Sequence, residues 1–192
     1  MKIALIGAPG SGKTKLAKEI AKKLDLKIVD GYAEKWSKRT GLTVGFTGGY
    51  THSLGVALDR VFEERKLEDN FVTCGSTLDS LLYMALMSLS DPNNVEFIRA
   101  KSYMEVLSML FYDFWGYDHV FFCRLYAEEP DGTKEKSAEE LLSGFELSGA
   151  IKYDSEVEAT LKSFFNVKYT ELPKDDRLKF VMETINDASQ DK

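Results

Sequence analysis

Residues 1–14 read Met1-Lys-Ile-Ala-Leu-Ile followed by Gly7-Ala-Pro-Gly-Ser-Gly-Lys-Thr14, and this stretch decides the fold. Its second part fits the P-loop pattern G-x-x-x-x-G-K-[ST]. The context fits as well, because residues 3–6 form a β-prone apolar run and residues 15–24 carry apolar side chains on one helical face. A strand, a glycine-rich loop and a helix in this order predict a cradle for a phosphate group, since backbone N–H groups and the helix N-terminus both favour anions there.

Two side chains of the loop have predicted roles of their own. Lys13 can reach the β- and γ-phosphates of a nucleotide, and the Thr14 hydroxyl can hold Mg²⁺. The implied cofactors are therefore ATP and Mg²⁺. The alternative is a glycine-rich turn that binds nothing, with Lys13 as a solvated surface lysine. The predicted nucleotide-binding residues are Gly7, Ala8, Pro9, Gly10, Ser11, Gly12, Lys13 and Thr14.

Composition narrows the class of protein. A chain of 192 residues with 44% hydrophobic and 12% aromatic residues suits one domain with a substantial core. The net charge of −6 argues against a broad nucleic-acid-binding surface, although a local basic groove stays possible. Cys74 and Cys123 lie in apolar runs, which is typical of reduced, buried thiols. The N-terminal apolar run is too short for a signal peptide and no run is long enough to span a membrane, so we expect a soluble, cytoplasmic protein with no membrane partner.

Apolar β-type runs alternate with helix-like segments along the chain. The predicted strands are residues 2–6, 27–29, 71–74, 119–125 and 167–172. The predicted helices are residues 13–24, 52–66, 77–89, 94–115, 137–142, 155–165 and 174–187. This alternation predicts an α/β fold: one three-layer domain over residues 1–192, with about five parallel strands between helices.

Two stretches interrupt the pattern and predict functional loops. Residues 40–51 contain four glycines, and residues 127–136 are charged and rich in turn formers. Loops of this length in a compact domain are commonly functional. We therefore expect an acceptor loop at about residues 31–55 and a lid-like loop at about residues 127–150.

A P-loop is compatible with kinases, GTPases and motor ATPases. The chain has no N-K-x-D string and no D-x-x-G string after a predicted strand, which argues against a GTPase. Among the strand ends only Val29-Asp30 is acidic, and it belongs to the second strand rather than to a later one, which argues against a motor ATPase. Small size and two long loops favour a kinase with a small acceptor.

Four segments together resemble a known group. They are residues 7–14, 29–34, 71–83 and 117–125. Their layout is similar to that of the small P-loop kinases of the nucleoside and nucleoside-monophosphate kinase group, nearest to the ribosylnicotinamide-kinase-like and small ATPase/kinase-like branch. The resemblance implies a parallel sheet in the order 2-3-1-4-5 and a mobile lid near the fourth strand. Relatives often carry Asp-Arg near the end of the third strand, where this chain has Cys74-Gly75, and arginines in the lid, where it has Lys134 and Lys136.

Carboxylates near two strand ends are candidates for the acceptor side. In a doubly wound sheet the ligand crevice lies at the carboxyl ends of the strands. Asp30 there can accept the proton of an acceptor hydroxyl or orient a water on Mg²⁺, and the resemblance supports a base-like role. Its alternative is an Asx-turn before Gly31. Asp79 can bind the acceptor or a metal-bound water, or it can cap the helix that starts near residue 77.

Arginines and aromatic residues complete the candidates. Arg39, Arg60 and Arg124 can clamp phosphate, and Arg124, before the presumed lid, is the best placed and is predicted to be catalytic. Tyr32 and Trp36 are one helical turn apart and can form a wall on which a base stacks, although aromatics at this spacing are more often core. The predicted catalytic residues are Lys13, Asp30 and Arg124, and the predicted acceptor-binding residues are Tyr32, Trp36, Arg39 and Asp79. His52 is a weaker candidate for acceptor contact, and Cys74 is expected to be a buried small hydrophobe rather than a nucleophile.

The resulting hypothesis is a Mg-ATP-dependent phosphotransferase. Its acceptor would be a nucleoside, a nucleotide or a similar small molecule, with a nucleic-acid base or end as a wider option that the net charge does not favour. The alternative is an NTP-binding or NTP-hydrolysing module that regulates a partner without a phosphoryl acceptor. A third option is a structural protein whose P-loop is degenerate.

Overall fold

The structure is a computed structural model of the whole chain. It describes residues 1–8, 10–30, 32–41, 49–67, 69–76, 79–80, 93, 95, 99, 102–103, 106, 116–124 and 169–190. Several predictions lie wholly or largely outside these residues: Pro9, the helices predicted over 77–89, 94–115, 137–142 and 155–165, the lid-like loop, and the lysines Lys134 and Lys136. The side chain of Tyr32 also lies outside them.

The described elements alternate between strand and helix, as predicted. The strands are β1 (Lys2–Ile6), β2 (Lys27–Val29), β3 (Phe71–Cys74), β4 (His119–Phe122) and β5 (Thr170–Glu171). The helices are α1 (Lys13–Leu24), α2 (Tyr32–Thr40), α3 (Gly49–Lys66) and α4 (Arg177–Gln190). All neighbouring strands pair in parallel, in the order β2-β3-β1-β4-β5, which confirms the predicted order 2-3-1-4-5.

Helices cover both faces of the sheet, which explains the continuously apolar strands. On one face Ile3 and Leu5 of β1 pack in a buried cluster with Leu16 and Ile20 of α1 and Val181 of α4. On the other face, Val29 and Phe71 pack with Val56 of α3. Because β1 is central and buried on both sides, residues 3–6 carry no polar alternation, as expected for a sheet between two helical layers.

The register of the strands brings their carboxyl ends to one edge. Leu5 of β1 lies opposite Cys74 of β3, and Ile6 lies opposite Phe122 of β4. Val29 at the end of β2 lies opposite Thr73 of β3. The segments that follow these strands therefore begin at the same edge, which is where ligands bind in open α/β sheets.

The structure corrects the loop expected at about residues 31–55. Residues 32–40 form α2, and α3 begins at Gly49 instead of at the predicted His52. The sequence hid α2 because it is mostly polar and carries one large apolar side chain, Trp36, near its middle. That side chain packs against α3 at Gly55, so tertiary packing rather than apolar periodicity supports the helix.

Smaller corrections concern element ends. β4 ends at Phe122 rather than at residue 125, and the described part of the last strand covers only Thr170–Glu171. Helix α4 begins at Arg177 rather than at residue 174, directly after Asp176, whose φ of 53° is not helical. Within the described helices, none is long and apolar enough to cross a membrane.

Candidate nucleotide and acceptor site

The P-loop has the backbone conformation that its glycines permit. Gly7 has φ 142° and Gly12, the N-cap of α1, has φ 86°. A Cβ on residue 7 would lie 2.3 Å from the Cys123 carbonyl oxygen, so only glycine fits between β1 and β4 at this point. The loop is therefore shaped by close contact with the end of β4 as well as by its own sequence.

Lys13 folds back over the loop. Its ammonium donates to the carbonyl oxygens of Gly7 and Ala8, each at 2.6 Å, and lies 3.5 Å from the Ser11 hydroxyl. These contacts hold a positive charge at the centre of the loop, where the P-loop mechanism requires it for phosphate oxygens.

Thr14 is exposed and contacts the end of β3. Its hydroxyl oxygen lies 3.2 Å from the Cys74 sulfur. Burial raises the pKa of the Cys74 thiol above its ordinary value, and the charge of Lys13 only partly opposes this. Cys74 is therefore a neutral thiol at neutral pH, as expected for an inert residue, but its contact with the predicted Mg²⁺-binding hydroxyl is a feature that the sequence alone did not reveal.

Asp79 links the end of β3 to the P-loop. One carboxylate oxygen accepts a hydrogen bond from the Gly7 N–H at 3.1 Å, and the other accepts one from the Ser76 N–H at 2.7 Å. The second contact is the helix-capping geometry weighed as the alternative role of this residue, with Ser76 three residues before the acidic side chain. The bond from Gly7 was not predicted, and it makes Asp79 a support of the phosphate loop.

Asp30 lies where the sequence predicted it, directly after β2. Its main-chain oxygen accepts a hydrogen bond from the Lys35 ammonium at 2.8 Å. Its carboxylate is close enough to Cys74 for its negative charge to raise the pKa of that thiol. Asp30 and the Thr14–Cys74 contact therefore share one edge of the sheet.

Trp36 and Arg39 belong to the packing of α2 on α3. A Cβ on Gly55 would lie 2.1 Å from the Trp36 ring, so the indole fills the space left by that glycine. The Arg39 guanidinium lies 4.7 Å from the centroid of the Trp36 ring and forms an ion pair with Asp59 at 2.9 Å. Trp36 thus packs against the core, as in the alternative to base stacking, and the Arg39 charge is matched by a carboxylate; acceptor contact stays a prediction for both residues.

His52 is buried in the same helix pair. Its Nε2 lies 3.0 Å from the Ser37 hydroxyl, which joins α3 to α2. This contact is structural, and contact with an acceptor stays a prediction for this residue.

Arg124 follows β4, as predicted, and its guanidinium forms an ion pair with the Glu171 carboxylate of β5. Nε donates to one carboxylate oxygen at 2.6 Å and a terminal nitrogen donates to the other at 3.1 Å. Such paired bonds are stronger than single ones, so Arg124 would have to exchange Glu171 for phosphate to act as a clamp.

Two ionisable side chains of α3, Arg60 and Glu64, are buried near the end of β3. Arg60 of α3 is only 7% exposed, and its guanidinium lies 2.6 Å from the position that a Cβ on Gly75 would take. Glu64, fully buried one turn further along α3, accepts a hydrogen bond from the Tyr117 hydroxyl at 2.9 Å. Burial raises the pKa of Glu64 to about 7, against the opposing effect of the Arg60 charge and of the hydrogen bonds from Tyr117 and Thr73. Gly75 thus leaves room at this strand end for a guanidinium that comes from another element.

Sequence reasoning missed Arg177, the first residue of α4. Its guanidinium donates to three main-chain oxygens, those of Ser11 at 2.5 Å, Arg124 at 2.9 Å and Pro173 at 2.9 Å. No local signal marks it, because the surrounding Lys174–Lys179 segment reads as an ordinary polar helix start. Only the fold brings this side chain to the P-loop.

A parallel sheet in this order, with a P-loop after its first strand, defines the P-loop NTPase fold. No protein-family model matches the chain, and no curated protein matches it. Among solved structures, deoxyadenosine kinase from M. mycoides with bound dATP superposes with a TM-score of 0.64 at 18% identity, covering 97% of this chain and 100% of that one. YorR from Bacillus subtilis, in complex with phosphorylated GDP, superposes with a TM-score of 0.51 at 13% identity, covering 100% and 99% of the two chains.

A third structure matches only in part. NadR in complex with NR superposes with a TM-score of 0.53 at 14% identity, covering 90% of this chain and 53% of that one. The chain thus has the fold of the small P-loop kinases, which confirms the resemblance found in the sequence at the level of fold.

Proposed function

We propose that the chain is a Mg-ATP-dependent phosphotransferase that moves the γ-phosphoryl group of ATP to a nucleoside, a nucleotide or a similar small acceptor. The observation that carries the proposal is one edge of the sheet, where Lys13 and Thr14 of the P-loop and Asp30 after β2 lie on either side of Cys74 at the end of β3. The likeness of the fold to deoxyadenosine kinase supports an acceptor of this class. The net charge of −6 favours a small acceptor over a nucleic-acid base or end.

On the donor side, meaning residues 7–14 with the end of β4 and the start of α4, the chain supplies positive charge. Lys13 leaves the Gly7 and Ala8 carbonyl oxygens and binds the β- and γ-phosphates, while loop N–H groups bind the remaining oxygens. Arg124 is the proposed clamp for the transferred group, once it exchanges Glu171 for phosphate.

The residues present fit Mg²⁺. Within the described ranges no group of three or more His, Cys, Asp or Glu side chains could hold a metal ion by itself. Mg²⁺ characteristically binds through one or two protein oxygens, substrate phosphates and water, so the exposed Thr14 hydroxyl is a suitable protein ligand. When bound, the ion neutralises charge on the β- and γ-phosphates.

On the acceptor side, meaning α2, α3 and the ends of β2 and β3, Asp30 acts as the base. The acceptor hydroxyl oxygen bonds to the γ-phosphorus, the bond from that phosphorus to the bridging oxygen of ADP breaks, and the hydroxyl proton passes to the Asp30 carboxylate. Tyr32, Trp36, Arg39 and Asp79 are the proposed acceptor-binding residues. Of these, Tyr32 is the nearest to Asp30 along the chain, two residues after it.

A second candidate function is an NTP-binding or NTP-hydrolysing module that regulates a partner. It is favoured by the neutral Cys74 thiol beside Thr14, which offers no carboxylate oxygen for Mg²⁺ there, and by the engagement of Arg124 with Glu171, which leaves less positive charge for the transferred phosphoryl group. The two candidates share the nucleotide site and differ in whether an acceptor is phosphorylated.

Transfer of radiolabelled γ-phosphate across a panel of nucleosides, nucleotides and nucleic acids tests the proposal. We expect a labelled small acceptor with the wild-type protein. The transfer rate of Lys13→Ala should be lower by a factor of about 10² or more, because the variant loses charge stabilisation at the transferred group. Lys15→Ala, one residue past the loop in α1, is the control and should retain wild-type transfer. Release of free phosphate alone, without stimulation by any acceptor, would support the second candidate, and undiminished transfer by Lys13→Ala would reject the mechanism.

A further inference from the structure

Arg177 joins three segments that are far apart in the sequence. Its Nε donates to the Pro173 oxygen in the turn before α4, one terminal nitrogen donates to Ser11 in the P-loop, and the other donates to Arg124 at the end of β4. The same guanidinium lies 3.5 Å from the position of a Cβ on Gly12. A single planar side chain thus sets the relative positions of the phosphate loop and its two neighbours.

The bond to Ser11 has a consequence for phosphate binding. The peptide unit is planar and trans, so the C=O of Ser11 and the N–H of Gly12 point in opposite directions. Arg177 holds that carbonyl on the α4 side, and the Gly12 N–H is therefore held facing away from α4. Gly12 has φ 86°, but without a Cβ it can adopt many other values of φ. A contact from outside the loop is therefore what fixes the orientation of this peptide.

The position of Arg177 at the start of α4 needs a reason other than the helix itself. A positive side chain in the first turn is unfavourable for the helix dipole, because that end carries partial positive charge. The first turn itself has no acidic residue, and the nearest ones, Asp175 and Asp176, precede the helix. The bonds to the P-loop and to β4 offset this cost, and they act at the donor side of the site.

We propose that Arg177 is a positioning residue that presets the Ser11–Gly12 peptide for binding the phosphates of a nucleoside triphosphate. The inference rests on the proposed nucleotide-binding role of residues 7–14. It assigns the orientation of a P-loop N–H group to a side chain that lies outside the motif, and it predicts that the effect concerns phosphates rather than the nucleobase.

The test compares two probes by calorimetric titration with Mg²⁺ present: inorganic tripolyphosphate and the ATP analogue with a β,γ-imido bridge. The proteins are wild type, Arg177→Gln, Arg177→Lys and the control Lys179→Gln. Lys179 lies in the same first turns of α4, is 73% exposed and contacts Glu183 rather than the P-loop, so its variant removes the same charge from the same helix. Circular dichroism confirms that each variant is folded at the temperature of the titration.

We expect Arg177→Gln to weaken the binding of both probes by the same factor, about tenfold, because one charged hydrogen bond orients the peptide. Arg177→Lys can reach fewer of the three oxygens and should lose part of the affinity. This variant replaces Arg177→Gln in the test if Arg177→Gln does not fold. Lys179→Gln should bind within about twofold of wild type, since an exposed pair of this kind contributes little.

If Arg177→Gln binds tripolyphosphate as tightly as the wild type does, the inference is overturned. A lower melting temperature or a lower affinity for the ATP analogue would not change that conclusion. If the wild-type protein binds neither probe, the proposed nucleotide site itself is rejected and the inference falls with it. If the wild type binds both probes but phosphorylates no acceptor, only the transferase proposal fails, and equal weakening of both probes by Arg177→Gln still supports the role of Arg177.

Discussion

At the P-loop, side chains from three elements bond to the backbone of the loop, whereas along α2 and α3 side chains pair with one another. Lys13, Asp79 and Arg177 all bond to main-chain atoms of residues 7–11. On the other side, Arg39 pairs with Asp59 and His52 contacts Ser37. The comparison teaches that the shape of the P-loop depends on hydrogen bonds to its backbone, while the contact between α2 and α3 depends on which side chains the two helices bring together.

The largest expected effect is on the donor side, at Gly7. Gly7→Ala places a Cβ 2.3 Å from a backbone oxygen that cannot move aside alone. We expect a loss of stability of about 3 kcal/mol or more, since overpacking and strain at a special φ add, together with loss of tripolyphosphate binding. Chemical denaturation and calorimetric titration measure the two effects.

Gly41→Ala is the matched control for this substitution. Gly41 has φ 74°, also in the left-handed region, but among the residues that the structure describes nothing lies within 4 Å of its Cβ position. It should cost only about 1–2 kcal/mol of backbone strain and leave tripolyphosphate binding unchanged. Equal effects of the two substitutions would mean that backbone conformation alone, and not contact with β4, shapes the P-loop.

The next effect concerns the buried Glu64 on the acceptor side. Its pKa in the folded protein is about 7, above the value of 4.5 for an exposed Glu, so the folded state holds the proton more tightly than the unfolded state. The stabilisation from this group is complete below about pH 4.5 and is lost as the pH rises through about 7. Glu64→Gln mimics the protonated form, and its stability relative to wild type should rise between pH 5 and pH 8 by up to about 3 kcal/mol.

Denaturant titrations of both proteins across this pH range give the difference. Glu63→Gln is the control, because Glu63 is partly exposed and pairs with Lys66 at the surface. Its difference from wild type should stay nearly constant with pH. Parallel pH curves for Glu64→Gln and wild type would show that Glu64 titrates near its ordinary pKa. Wild-type affinity of Glu64→Gln for tripolyphosphate is expected, since the group lies on the acceptor side.

The smallest expected effect is at the contact between α2 and α3. Gly55→Ala gains about 1 kcal/mol of helix propensity in the middle of α3. It also places a Cβ within 2.1–2.7 Å of the Trp36 ring, and such overpacking typically costs about 1–3 kcal/mol. We expect a net loss of about 1 kcal/mol in the free energy of unfolding.

The double variant Trp36→Ala/Gly55→Ala isolates the clash. Removing the ring should make the second substitution stabilising, so the two effects are not additive. Additive effects would place the Trp36 ring away from Gly55. We expect both variants to bind tripolyphosphate as the wild type does. Non-additive stability with unchanged binding would show that packing between α2 and α3 is independent of the donor side.

Much of the fold follows from local pattern. The apolar runs of β1, β2 and β3 and the amphipathic face of α1 have the predicted bounds, because strands buried on both faces leave a strong signal in the sequence. Helix α2 was missed because its polar sequence gains stability from contact with α3, which no local pattern records. Arg177 and the contact between Thr14 and Cys74 were missed for the same reason, since each joins residues distant in the chain.

The sequence by itself determined the phosphate loop, its preceding strand and following helix, and the carboxylate at the end of β2, because a glycine pattern and a buried strand are local properties. Tertiary structure alone decided what stands around that loop. It placed the Cys74 thiol beneath Thr14, made Asp79 a support for the Gly7 N–H, paired Arg124 with Glu171 and brought Arg177 to Ser11. The physical reason is that parallel strands bring their carboxyl ends to one edge, so residues far apart in sequence become neighbours only when the sheet forms.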